Sequence, residues 1–170
     1  MSKSISGWIL SAALITGAAA AAAMTPPPAS IIPAACRSMD ITPYSAPETL
    51  QIQMQSGKRI AFNVEIADNF AERGQGMMCR TRIAEREGML FQFQDVSERS
   101  FWMQNTLISL DIIYIAPDGR IVSIRKNARP LDRTPLPSGA AASGVLEVRG
   151  GLSDQLGLKP GDRVIHPFFR

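Results

Sequence analysis

The segment SLDIIYIAPDGRIVSI, Ser109 to Ile124, reads as two strands and the turn that joins them. Successive side chains of a strand point to opposite faces, so Leu110, Ile112 and Tyr114 face one way and Asp111, Ile113 and Ile115 the other. Pro117-Asp118-Gly119 supplies the turn, with φ preset at proline and positive φ open to glycine, and Ile121, Val122 and Ile124 return. A second hairpin lies upstream. Leu50, Ile52 and Met54 alternate with glutamines, Ser56-Gly57-Lys58 turns the chain, and Ile60, Phe62, Val64 and Ile66 alternate with Ala61, Asn63 and Glu65.

Between the hairpins, DNFAERGQGMMCR predicts a helix. Asn69 and Glu72 form a capping pair, and Phe70, Gly74, Met77 and Met78 fall on one side. Gly74 and Gly76 each cost about 1 kcal/mol against alanine inside a helix, which implies a close backbone approach or an early end. GMLFQF, from Gly88 to Phe93, is an apolar run of buried-strand type, DVSE a polar turn, and RSFWMQN extended chain again. Residues 127–143, with Pro130, Pro135 and Pro137, read as a long connection. GVLEV is a strand, followed by a one-turn helix capped by Ser153 and ended by Gly157, then a strand at Arg163 to Ile165. About seven short strands and one or two short helices predict a mainly β (α+β) fold, a compact antiparallel barrel or sandwich.

The first residues differ in composition. Lys3 is followed by WILSAALITGAAAAAA and then TPPPASIIP, the pattern of a signal peptide over residues 1–23, with small residues at Ala21 and Ala23. A retained anchor and lipidation at Cys36 are the other readings. Residues 24–49, rich in Pro and Ala, read as a tether, and residues 50–170 as one β-rich domain. This places the protein in the periplasm or outside the cell, touching the membrane only through the signal peptide. The two cysteines, Cys36 and Cys79, are an even number in an oxidising space, which favours a bridge; one buried thiol and one in the tail is the alternative.

The 170 residues carry a net charge of +3, with Lys and Arg scattered among Asp and Glu, so no footprint for nucleic acid is present. His166 is the only histidine, which removes imidazole-built metal sites, and no cofactor fingerprint, nucleophile elbow or phosphate loop occurs. Met77, Met78, Met89 and Met103 are spaced among Leu and Phe and read as core filling, not a copper site.

Three blocks, ERGQGMMCRTRIAEREGMLFQF, SFWMQNTLISLDIIYIAPDGRIVSI and LEVRGGLSDQLGLKPGDRV, together resemble the family catalogued as domain of unknown function 192, the uncharacterised ACR proteins. The resemblance spans about Leu50 to Ile165 and implies a compact, mostly β domain, with no activity or cofactor attached. Cys79 stands where members usually carry an aromatic residue and Ser109 where proline is usual; the first departure favours a bridge to Cys36.

The block FWMQNT, Phe101 to Thr106, asks for more than a strand needs. Its structural account makes Phe101 and Met103 core, sets Trp102 over a sheet edge and leaves Asn105-Thr106 as loop. Its functional account gathers Trp102, Asn105, Thr106, Arg73, Arg80 and Asp111 around a cleft, since an aromatic wall with a few convergent polar groups is how small-molecule sites are built. A carboxylate between Leu110 and Ile112 must meet water, a ligand or an arginine. The functional expectation is therefore a small-ligand-binding or accessory module, against a hydrolase or transferase with Asp111 as general base, or a purely structural interaction domain.

Overall fold

The computed structural model describes residues 32–170, so the signal-peptide reading and the first part of the tether lie outside the described residues. The seven strands are β1 (Glu48–Gln53), β2 (Arg59–Ala67), β3 (Glu87–Phe101), β4 (Leu110–Ile115), β5 (Ile121–Ala128), β6 (Leu136–Arg149) and β7 (Arg163–Ile165). Helix α1 (Phe70–Gln75) follows β2 and α2 (Leu152–Leu156) follows β6. The strands form one sheet in the order β5-β4-β6-β3-β2-β1-β7. Its two edges approach each other where Arg120 bridges Arg163 and where Ile121 N–H donates to Asp162 O (2.8 Å), so the sheet curls into a half-barrel.

Both expected hairpins form, with Leu50 opposite Phe62 and Ile113 opposite Ile124. One pair breaks the antiparallel pattern: β2 and β3 run parallel, from Asn63↔Glu87 to Ala67↔Phe91. Parallel neighbours need a crossover, and α1 with the loop after it supplies one. Every residue of β4 is buried, because both faces of the sheet are covered. Leu50, Ile52, Phe62, Leu90, Ile113 and Leu146 pack on one face together with Leu152 of α2. Met89, Phe91, Met103, Ile112, Tyr114 and Val145 pack on the other.

Several local expectations need correction. DVSE does not turn the chain but lies inside β3 as a bulge, where the register jumps from Gln92↔Gly144 to Ser97↔Ala142. Arg99 crosses the bulge to Asp95 (2.9 Å) and stacks on Phe93, 4.0 Å from the ring centre. The second half of the long connection, from Leu136 to Ser143, is strand. Pro137 is tolerated there because β4 pairs only with residues 144–149 of β6, which leaves the earlier part unpaired on that side.

Helix α1 is capped as expected, with Asn69 Oδ1 accepting from Glu72 N–H (3.1 Å), but it ends at Gln75. Gly76 adopts φ +50°, and a Cβ there would lie 2.9 Å from Phe91. Met77 and Met78 therefore fall beyond the helix, and Phe70 is 88 % exposed, not on a buried side. The residue capping α2 is Gly151; Ser153 lies inside the helix.

The tether is held down over its described part. Cys36 is bridged to Cys79. Gln75 Nε2 donates to Asp40 O (2.5 Å), Tyr44 hydroxyl to Gly76 O (3.1 Å) and Ile66 N–H to Ser45 Oγ (3.1 Å). Residues 38–47 thus form a strap across β2 and the end of α1.

Candidate functional site

Strand pairing lines up a row of side chains on the Met89 face: Glu65 of β2 is opposite Met89 of β3, Met89 is opposite Glu147 of β6, and Glu147 is opposite Ile112 of β4. Two carboxylates therefore stand two strands apart, about 10 Å between backbones, over an otherwise apolar surface. Arg80 reaches Glu65 with both terminal nitrogens, Nη2 at 2.8 Å from Oε2. Its third donor, Nε, is buried without a hydrogen-bond partner among the described residues, and so is Glu147 Oε2.

Glu147 is 4 % exposed. Burial pushes its carboxyl up to about 8, with the Arg80 charge acting in the opposite direction. Tyr114, on the same face, has its hydroxyl raised by burial first and by the Glu147 charge second, and that hydroxyl donates to Leu136 O.

Two hollows flank Met77. The smaller, about 40 Å³, is lined by Arg73, Gly76, Phe101, Trp102, Thr106 and Glu147 among others. The larger, about 450 Å³, opens between the strap, through Ile41, Pro43 and Pro47, and the Glu65–Arg80 pair. Trp102 is 49 % exposed at the mouth of the smaller one while Phe101 packs against the core, as opposite-facing neighbours should.

The structure brings Arg73, Trp102 and Thr106 together at the small hollow and Arg80 to the neighbouring one. Arg73 Nη1 donates to Asp68 O and to Gln92 O (3.0 Å), and its guanidinium lies 5.1 Å from the Phe93 ring centre. Asn105 serves the backbone: in a left-handed conformation at φ +54°, it accepts from Cys79 N–H (2.8 Å) and so braces the bridged loop.

Asp111 does not join the cleft and makes no salt bridge to either arginine. Its parity puts it on the Ile113 face, opposite from the hollow. It is fully buried, accepting from Asn127 N–H (2.8 Å) and Gly151 N–H (2.9 Å) at Oδ1 and from Ser153 N–H (2.7 Å) at Oδ2. These donors include orphan N–H groups at the start of α2, where a carboxylate also complements the helix dipole.

Sequence reasoning missed Glu147. The signal was available in GVLEV, where a carboxylate between Leu146 and Val148 raises the same question as Asp111 between Leu110 and Ile112. Among the described residues no cluster of three or more His, Cys, Asp or Glu could hold a metal ion.

The buried acid carries a pH prediction. Unfolded, Glu147 titrates near 4.5; folded, near 8, so between these values the native state holds the extra proton. Its contribution is fully present below about pH 4.5 and is lost as pH rises toward 8, at about 1.4 kcal/mol per pH unit. Glu147→Gln imitates the neutral acid and should remove roughly 2 kcal/mol of the stability loss between about pH 6 and 7.5. Urea melts of both proteins at the two pH values test this; parallel losses would show that Glu147 ionises in the fold without penalty.

A family model described as Uncharacterized ACR, domain of unknown function 192, matches residues 51–166. Two crystal structures are similar. One, from Sinorhizobium meliloti 1021 and described as a "putative transcription regulator", has 37% sequence identity, covers 71% of this chain and 93% of that one, and superposes with a TM-score of 0.69. The other, a protein of unknown function from Novosphingobium aromaticivorans DSM 12444, has 37% identity, covers 76% and 99% of the two chains, and gives a TM-score of 0.68. No curated protein matches the chain.

Proposed function

The chain belongs to the domain of unknown function 192 family, the uncharacterised ACR proteins, and from that premise, which brings a fold and no reaction, we propose that it is an exported small-ligand-binding module whose site is the hollow beneath Trp102. One observation carries this reading: Glu147 is buried, lines the hollow and keeps a carboxyl oxygen without a partner. A buried polar group left unpaired costs about 1–3 kcal/mol, a cost that a ligand at this position would offset. Half-exposed Trp102 provides the aromatic wall, and the Cys36–Cys79 bridge suits an oxidising compartment. A hydrolase or transferase reading passes from Asp111, whose two oxygens are taken up by backbone donors, to Glu147, whose carboxyl burial pushes up to about 8.

A thermal-shift screen of small molecules on the wild type, Trp102→Ala and Glu147→Gln tests the site. Trp102→Ala should change stability by no more than about 1 kcal/mol, because the ring is half in solvent. A ligand at 100 times its Kd should stabilise the wild type by about 2.7 kcal/mol and neither variant. Ligands that stabilise all three proteins equally would place binding elsewhere.

A further inference from the structure

We propose that the hollow beneath Trp102 receives the head of a primary alkylammonium group, with the Glu147 carboxylate as its counter-ion. The inference rests on the small-ligand reading above and names the ligand class. Charge accounting along the sheet row is its first support. Arg80 spends both terminal nitrogens on Glu65, so its charge acts on Glu147 only from a distance and no hydrogen bond joins the two. The other charged group at the hollow, Arg73, is committed to two backbone carbonyls and to the Phe93 ring. Tyr114 turns its hydroxyl to Leu136 O. No described residue pairs with Glu147 Oε2, so a ligand cation would complete the set.

Size and lining narrow the class. At about 40 Å³ the hollow is much the smaller of the two, which suits a compact ammonium or methylammonium head better than a guanidinium or a quaternary ammonium. Phe91, Phe101 and Trp102 contribute aromatic surface, whose faces attract cations and disfavour anions. The alkyl chain would leave past half-exposed Trp102. Binding at neutral pH then transfers one proton from the Glu147 carboxyl to solvent as the ion pair forms.

The test is a titration of the ¹⁵N-labelled chain with methylammonium chloride, with potassium chloride as the ionic-strength control. Acetate, methanol and tetramethylammonium serve as competing probes, and Trp102→Phe identifies the Trp102 indole signal. Methylammonium should give saturable shifts at the Trp102 indole and the Thr106 amide. Its apparent affinity should rise about tenfold per pH unit from about pH 6 toward 8 and then level, as release of a single proton requires. In Glu147→Gln the affinity should drop at least about tenfold and lose its pH dependence. Saturable, Glu147-dependent binding of acetate or methanol in place of methylammonium would overturn the ammonium class and leave the ligand site standing. No saturable shift from any probe would overturn both, and methylammonium binding equally well to Glu147→Gln would remove Glu147 as counter-ion.

Discussion

Asp111→Ala is expected to destabilise the protein by about 4 kcal/mol or more, because three backbone N–H groups lose their acceptor together and each orphaned donor costs about 1–3 kcal/mol. Two of those donors belong to residues in left-handed conformations, Asn127 (φ +52°) and Gly151 (φ +79°), so the carboxylate also holds the end of β5 and the entry to α2 in place. Asp111→Asn keeps the shape but turns an amide NH₂ toward backbone donors, and it should recover only part of the loss. Denaturant melts of both variants, with hydrogen exchange at Asn127 and Ser153, check the assignment. A near-neutral Asp111→Ala would mean that the three bonds matter little to the fold, and would return Asp111 to the list of candidate general bases.

Removing the Cys36–Cys79 bridge is expected to cost about 4 kcal/mol in the chain-entropy model, for residues 43 apart in sequence. The loss should have a local signature as well. With both cysteines replaced by serine, residues 38–47 keep only a few hydrogen bonds, Tyr44 to Gly76 and Ser45 to Ile66 among them, so tryptic cleavage after Arg37 should accelerate before the sheet unfolds. The strap walls the larger hollow through Ile41, Pro43 and Pro47, so its release should also widen access to the Glu65–Arg80 pair. Unchanged melting and unchanged proteolysis in the double variant would show that side-chain contacts alone hold the strap.

These two predictions also mark where local sequence was informative. The even cysteine count suggested the bridge, and the structure contains it. The carboxylate between Leu110 and Ile112 was recognised as needing a partner, but its partners are backbone groups of Asn127, Gly151 and Ser153, up to 42 residues away, and no property of LDII announces them. Glu147 escaped notice for the related reason that its meaning lies in neighbours on other strands: Met89 and Ile112 beside it, Arg80 near it, and the Phe101–Trp102 corner above.

Period-two alternation and turn chemistry act within a few residues, so both hairpins, the Asn69 cap and the glycine-ended α2 were legible from the chain alone. The strand character of Leu136 to Ser143 was not, because Ser, Gly and Ala have weak β preference and become strand there through pairing with the far side of the β3 bulge. The parallel β2–β3 pair, the curl of the sheet and the face on which each buried carboxylate stands likewise depend on register between distant segments. Register is a non-local quantity, and a one-residue slip would exchange the faces of Asp111 and Ile112 or of Glu147 and Val148. The residue types of a β domain with one bridge and a few buried acids were therefore written in the sequence, while the pairing of strands placed one acid at the start of α2 and the other under Trp102.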